Sequence, residues 1–123
     1  MGRNAAAATA DLAAALGDDE ENPRRRAAEA LGTAGQGQSE ALVAPLAQAL
    51  DQDQSGEVRR NAALSLARLT PKAPEVIPAL ERGMSDDNHY VRGFSVHALD
   101  RIGTPEATRA AMRHLQIMRW DGV

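Results

Sequence analysis

The sequence predicts an all-α fold, a short right-handed solenoid of about three stacked helical hairpins. A nine-residue segment at 23–31 recurs at 58–66 and at 91–99, offsets of 35 and 33 residues. Repeats of this length are supersecondary units that bury their apolar faces only by stacking on each other. Only three residues are aromatic although 43% are apolar, and a core of Ala, Leu and Val suits closely packed helices. An apolar pair precedes each segment: Leu12 and Leu16, Leu46 and Leu50, Leu80 and Met84.

The first hairpin is predicted at about 5–35. Residues 5–16 form a helix with the first apolar pair on one face, and Gly17 with the acidic run after it ends that helix. Asn22 as N-cap and Pro23 at the first helical position then predict a second helix, since proline lacks the amide hydrogen that this position leaves unpaired. That helix runs to about Ala34.

The second hairpin is predicted at about 39–70. Ser39 begins its first helix, and Pro45 is expected to kink that helix or to lie in its first turn. A turn at 51–56 precedes the next helix, which Thr70 and Pro71 end. The residues of this helix expected to face the core are Val58, Ala62, Ala63, Leu66 and Leu69.

The third hairpin is predicted at about 74–103, with helices over 74–84 and 90–102 and with Gly103 at its end. Thr104 as N-cap and Pro105 at the first position predict a C-terminal capping helix over 104–120. Its buried face is expected to carry Ala107, Ala111, Leu115 and Met118. The whole chain, 1–123, is therefore predicted to be one solenoid domain.

An arginine occupies the second position of each repeated segment, at Arg24, Arg59 and Arg92. Each follows a turn rich in Asp, Asn or Glu, so its guanidinium can hold the helix start to loop carboxylates or carbonyls. A specific ligand would not need an arginine in every repeat. We therefore assign these three a structural role ahead of a ligand role.

The second helix of each hairpin carries a row of residues beside its buried row, and stacking would bring these rows together on one concave surface. We call this surface the second-helix face. It comprises Arg25, Glu29, Thr33, Arg60, Leu64, Arg68, Gly93, His97 and Arg101.

Two aromatic residues lie where the other repeats are polar. Tyr90 occupies the position that Asn22 and Glu57 have in the first two repeats. Phe94 likewise occupies the position of Arg26 and Asn61. Exposed aromatic residues beside arginine are favoured at interface centres. We therefore predict these partner-binding residues, concentrated toward the C-terminal half: Arg25, Glu29, Arg60, Leu64, Arg68, Tyr90, Phe94, His97 and Arg101.

A packing role is the alternative for the aromatic residues. Tyr90 and Phe94 can instead cover the packing of the last helix, and Trp120 can fill the open end of the stack, because terminal repeats are often atypical caps. For Phe94 the two interpretations stay open, and for Trp120 capping is favoured.

Enzymatic and metal chemistry have no recognisable signature. The histidines His89, His97 and His114 do not share ligand spacing on one helix face, and the chain has no cysteine. No nucleophile elbow, catalytic triad context or phosphate-binding glycine loop occurs. We expect no catalytic residues, no metal site and no cofactor.

Composition limits the partners and the compartment. The net charge of −3 supplies no strong field toward nucleic acid, so a nucleic-acid-binding solenoid built on the arginines is disfavoured. No segment approaches the roughly 20 apolar residues that span a bilayer, and the start lacks a secretory signal. We expect a cytoplasmic protein, and the exposed end of the stack suggests a homo-oligomer formed by end stacking.

The repeated pattern resembles HEAT repeats, and more closely the short HEAT-like repeats of phycobilisome lyases and their relatives. The residues that carry the likeness include Leu46, Leu50, Val58, Arg59, Ala62, Ala63 and Leu66, then Leu80, Met84, Asp86, Val91, Arg92, Ala98, Leu99 and Gly103. The segment 101–107 with Arg119 and Trp120 looks like the cyanobacterial phycobilisome degradation protein branch. Pro23 and the intrahelical Gly93 depart from the usual pattern.

The resemblance implies an α-solenoid and leads to two expected functions. The preferred one is a non-catalytic protein-interaction module, whose concave face docks a protein such as a phycobiliprotein in phycobilisome assembly or turnover. The alternative is a bilin lyase or isomerase subunit, in which Arg60 and Arg101 hold tetrapyrrole propionates while Tyr90 or Phe94 packs on the rings. The first is preferred because it needs only a surface, whereas the second needs a pocket.

Overall fold

A computed structural model describes the backbone of residues 5–121 and the side chains of residues 7–38 and 40–115. Its described part contains seven α-helices and no β-strand, which confirms the predicted all-α fold. The helices are α1 (Ala5–Ala15), α2 (Glu21–Ala34), α3 (Ser39–Gln52), α4 (Gly56–Leu69), α5 (Val76–Gly83), α6 (His89–Ile102) and α7 (Pro105–Asp121).

The helices form the two layers of a short solenoid. One layer consists of α2, α4 and α6, each packed on the next, and the other places α5 between α3 and α7. Within the hairpins α3 packs on α4 and α5 packs on α6, while α1 packs on α2. The stacked hairpins bury one continuous core, in agreement with the predicted architecture.

Small residues let the second helices approach each other closely. Ala28 and Ala63 are fully buried. A Cβ atom at Gly32 of α2 would lie 2.7 Å from Oγ of Ser65 on α4, and that hydroxyl donates a hydrogen bond to the carbonyl of Ala28. The backbone of α2 is therefore in direct contact with α4. Larger apolar side chains fill the space between the layers: Leu31, Leu46, Leu50, Leu66, Leu80, Met84 and Leu99.

The start of α2 differs from the prediction. The helix begins at Glu21 with Glu20 as N-cap, so Asn22 is not the cap and Pro23 occupies the third helical position. The Asp18 carboxylate accepts a hydrogen bond of 2.9 Å from the Glu20 amide and turns the chain before Asn22 is reached. Proline fits at the third position because amides of the first turn have no acceptor within the helix.

Other boundaries agree more closely. Asn88 caps α6 by accepting from the amides of Tyr90 and Val91, at 2.9 and 3.2 Å. Thr104 caps α7, as predicted, through a hydrogen bond of 3.2 Å from the Ala107 amide to its Oγ1. Pro45 lies in the interior of α3 and not in its first turn.

Part of the expected buried face of α7 is exposed. Ala107 is fully buried and Ala111 is half-buried, but Leu115 is 54% exposed. In the described part of the chain no second helix follows α7 to cover it. Met118 and Trp120 lie outside the described side chains.

A repeated arrangement of Asp and Arg joins the hairpins. Arg24 donates to the carbonyls of Asp18 and Asp19 at 3.0 and 3.1 Å, and to the Asp53 carboxylate at 2.9 Å. Arg59 makes the equivalent bonds one repeat later, at 2.8 Å to the Asp53 carbonyl and 2.9 Å to the Asp86 carboxylate. Each of the two guanidinium groups thus connects its own helix start to the loop of the following hairpin.

Candidate functional site

The second-helix face contains two adjacent depressions. The first has a volume of about 290 Å³ and the second about 360 Å³. Seven of the nine predicted partner-binding residues line them, whereas Tyr90 and Phe94 line neither. The first is lined by Arg25, Arg26, Glu29, Arg60 and Asn61, and the second by Gly32, Thr33, Gln36, Leu64, Ala67, Arg68, His97 and Arg101.

The first depression brings three guanidinium groups to one place. Arg25 donates to the Glu57 carboxylate at 3.1 Å, and both of these side chains remain accessible to solvent. Arg60 donates from Nε to the Asn61 side-chain oxygen at 3.3 Å, and Arg26 has no ion pair with a described residue. Arg26 and the terminal nitrogens of Arg60 therefore remain available to an external carboxylate.

Asn61 is a buried part of this site that the repeat pattern does not single out. It belongs neither to the predicted inward row nor to the second-helix face, and it is only 7% exposed. Its amide nitrogen donates to the carbonyl of Arg25 at 3.1 Å and ties α4 to α2. The sequence gives no signal for this role, because Asn61 directly follows Arg59 and Arg60 and continues a polar stretch of α4.

The second depression has an apolar floor and a cationic rim. Leu64 is half-buried beside the buried Ala67 and Gly32, while Arg68 and His97 are exposed. Arg101 donates from Nε to the carbonyl of Ala67 at 2.9 Å, which fixes the direction of its guanidinium. This arrangement can receive an apolar side chain flanked by an acidic group.

Gln36 is a residue of the second depression that the sequence analysis missed. Its side-chain nitrogen donates to the carbonyl of Gly32 at 3.1 Å and to that of Arg68 at 3.3 Å, which joins the ends of α2 and α4. Its position after a helix and before Gly37 is typical of a linker, so the sequence gives no signal for this role.

The two aromatic residues have different environments. Tyr90 is 51% exposed, and its ring lies 4.1 Å from that of His89 and 5.9 Å from the guanidinium carbon of Arg60. Phe94 is half-buried and packs against the core. Tyr90 is therefore the aromatic residue that extends the basic surface, and Phe94 contributes mainly packing area.

Charge is distributed unevenly over the molecule. The described residues that line the two depressions include five arginines and a single carboxylate, that of Glu29. The chain as a whole carries a net charge of −3. The second-helix face is accordingly basic within an acidic protein, and such an asymmetry attracts acidic partners.

Among the described residues, no group of three His, Asp or Glu side chains is arranged to hold a metal ion. In the same part of the chain, no helix combines the length and apolar character that a bilayer crossing requires.

Comparison with known protein families gives two matches. Residues 43–121, more than half of the chain, match the family model described as HEAT repeats. Residues 23–52, which contain most of α2 and all of α3, match the model described as PBS lyase HEAT-like repeat. Comparison with curated proteins finds no matching sequence.

Proposed function

Because this chain belongs to the HEAT-repeat family, we propose that it is an interaction module whose second-helix face binds an acidic surface of a partner protein. Proteins built from HEAT repeats commonly mediate protein interactions. The observation that carries the proposal is the gathering of five arginines around two adjacent depressions on one face. The partner's acidic side chains bind these arginines, and an apolar side chain enters beside Leu64.

The site is prepared for binding by contacts within the stack. The hydrogen bonds of Asn61, Gln36 and Arg101 to neighbouring backbone carbonyls hold α2, α4 and α6 in register. A surface held in this way loses little conformational freedom when a partner binds. The exposed Arg26 and Arg68 then supply charge without being needed for the fold.

The partner we propose is a phycobiliprotein, bound during phycobilisome assembly or turnover. The support is the likeness of residues 23–52 to the PBS lyase HEAT-like repeat. That segment contributes Arg25, Arg26 and Glu29 to the first depression. The likeness to the phycobilisome degradation branch, carried by the segment around residue 101 and the C-terminal helix, favours turnover over assembly.

The proposal is tested by measuring binding of a purified phycobiliprotein to the full chain by calorimetry. The double variant Arg26→Glu with Arg68→Glu is expected to weaken binding at least tenfold, about 1.4 kcal/mol. Arg82→Glu is the control for a charge reversal in the other layer, where Arg82 lies in the last turn of α5. Because Arg82 pairs with Asp51, the circular dichroism of this variant should first be shown to match that of the wild type. Binding by the wild type should also weaken as salt is raised.

The possible results separate the two parts of the proposal. If the phycobiliprotein fails to bind while another acidic protein binds through Arg26 and Arg68, the basic face is right and its partner is not. If binding is equally strong in the double variant and in the control, the second-helix face is not the docking surface.

A bilin lyase or isomerase subunit is the second candidate, favoured by the neighbouring Arg60 and Tyr90. The guanidinium of Arg60 can pair with a propionate while the exposed Tyr90 ring packs on a pyrrole. Absorbance titration with free bilin tests this candidate. A spectral change that Arg60→Ala or Tyr90→Ala removes supports it, and a chain that changes no spectrum and transfers no pigment contradicts it.

A further inference from the structure

The C-terminal end of the solenoid carries an open, largely apolar groove between α6 and α7, with a volume of about 430 Å³. We call it the terminal groove. Its floor on α6 includes Gly93, Val96 and Asp100, and its wall on α7 includes Ala111, Met112 and Leu115. Met112 and Leu115 are 53% and 54% exposed, an unusual exposure for two large apolar side chains on neighbouring turns.

The terminal groove has the shape of a helix-binding site. Three first helices carry an apolar residue near their C-terminal end: Leu50 on α3, Met84 at the C-cap of α5, and Leu115 on α7, which follows Ala111 by four residues as Met84 follows Leu80. Leu50 and Met84 are almost fully buried, with α4 and α6 packed on their helices, whereas Leu115 is exposed. The groove therefore continues an interface that the chain forms twice internally. The groove is open because, in the described part of the chain, no helix follows α7 to complete a fourth hairpin.

The groove also has room for a close helix contact. A Cβ atom at Gly93 would meet no other heavy atom within 4 Å, so a neighbouring helix can approach the α6 backbone there. The close contact between α2 and α4 also uses a glycine, Gly32, although at a different position of the repeat. Helices pack at short distance where one of them lacks side-chain bulk.

The charges at the groove are complementary to those of α7 itself. Asp100 on the floor is exposed and has no ion pair with a described residue. Arg109 on α7 is likewise exposed and unpaired among the described residues, and it lies three residues before Met112. The helix that lines one side of the groove thus carries both the apolar side chains and the cation that the groove can accept.

We propose that the terminal groove binds α7 of a second copy of this chain, forming a two-fold symmetric dimer. Met112 and Leu115 of each copy pack over Gly93 and Val96 of the other, and Arg109 of each copy pairs with Asp100 of the other. A self-complementary surface of this kind closes on itself as a dimer, because each copy covers the groove of the other. Of the second-helix face, Gly93 takes part in the α7 contact and His97 borders both the groove and the second depression, whereas the five arginines of the two depressions do not line the groove.

Sedimentation analysis of the full chain over a range of concentrations tests this proposal. The wild type is expected to form a dimer, and Leu115→Glu is expected to give a monomer with unchanged helical circular dichroism. Asp100→Arg and Arg109→Asp, made singly, place like charges together and should each weaken dimerisation at least about tenfold. Made together they restore opposite charges and should restore the dimer.

Arg82→Asp is the control, since Arg82 lies on α5 and does not line the groove. It breaks the pair with Asp51, but with circular dichroism matching that of the wild type it should leave the dimer intact. A monomeric wild type would overturn the proposal. So would a double charge-reversal variant that stays monomeric while its circular dichroism matches that of the wild type. A dimer that persists in Leu115→Glu would show that the copies associate through another surface.

Discussion

Arg59 and Asp86, which are 27 residues apart in the sequence, are joined by two hydrogen bonds of 2.9 and 3.2 Å. Both side chains are largely shielded from solvent, with 16% and 13% exposure. Arg92 occupies the equivalent position one repeat later, but its guanidinium binds only the carbonyl of Asp86, at 2.8 Å, among the described residues. The same sequence position therefore has a different energetic role in two successive repeats.

Replacing Arg59 is expected to destabilise the protein more than replacing Arg92. Arg59→Ala leaves the shielded Asp86 carboxylate without its cation and should lower the free energy of unfolding by about 3 kcal/mol. Arg92→Ala removes a hydrogen bond to one carbonyl and should cost about 1 kcal/mol. Urea unfolding followed by circular dichroism measures both. Equal losses would contradict an unequal role for the two arginines.

Stability is expected to fall in acid partly through Asp86. Burial raises the pKa of this carboxyl, but hydrogen bonds from Arg59 and from the Asn88 amide outweigh burial and hold its pKa below the usual value. A carboxyl with a lowered pKa in the folded state stabilises the fold above the unfolded-state pKa of about 4, and the contribution is lost as pH falls through the folded pKa.

Unfolding measured at about pH 6 and about pH 3 should therefore show a larger loss of stability for the wild type than for Asp86→Asn. The asparagine keeps an oxygen that can accept from the Asn88 amide but has no proton to gain in this range. A loss of the same size in both proteins would mean that Asp86 does not contribute to the acid sensitivity.

Two buried serines should respond oppositely to alanine. Ser65 donates its hydroxyl hydrogen to the carbonyl of Ala28, so Ser65→Ala should cost about 1 kcal/mol. The hydroxyl of Ser95 is fully buried without a hydrogen-bond partner among the described residues, so Ser95→Ala should raise the free energy of unfolding by up to about 1 kcal/mol. Thermal unfolding of the two variants in parallel compares them. A stability loss in Ser95→Ala would indicate that its hydroxyl is bonded after all.

Two helical glycines should also respond oppositely. A Cβ atom at Gly32 would lie 3.0 Å from the Cα of Ser65, a backbone atom, so Gly32→Ala should force α2 and α4 apart at a cost of about 2 kcal/mol. Gly93 has open space, so Gly93→Ala should stabilise α6 by about 1 kcal/mol. Urea unfolding in a Leu115→Glu background measures both without a contribution from self-association. If Gly93→Ala lowers the free energy of unfolding in that background, the space around Gly93 is not open.

The site was only partly predictable from the sequence. The repeat register placed Arg60, Leu64 and Arg68 on one helix face, because residues three and four apart share a face of an α-helix. It could not indicate that Asn61 turns inward to the carbonyl of Arg25, since that depends on how far α4 is rotated against α2. Nor could it separate the exposed Tyr90 from the half-buried Phe94.

The spacing of apolar residues along the chain is enough to predict the helical hairpins, their stacking and most of the buried rows, because apolar residues at helical spacing can leave water only when neighbouring repeats cover them. The packing of the helices in three dimensions is needed to see that Arg24 and Arg59 bind a carboxylate of the next repeat, and that Leu115 is exposed whereas Leu50 and Met84 are buried. Those outcomes depend on distances between helices far apart in the sequence, and the spacing of residues along one helix does not contain them.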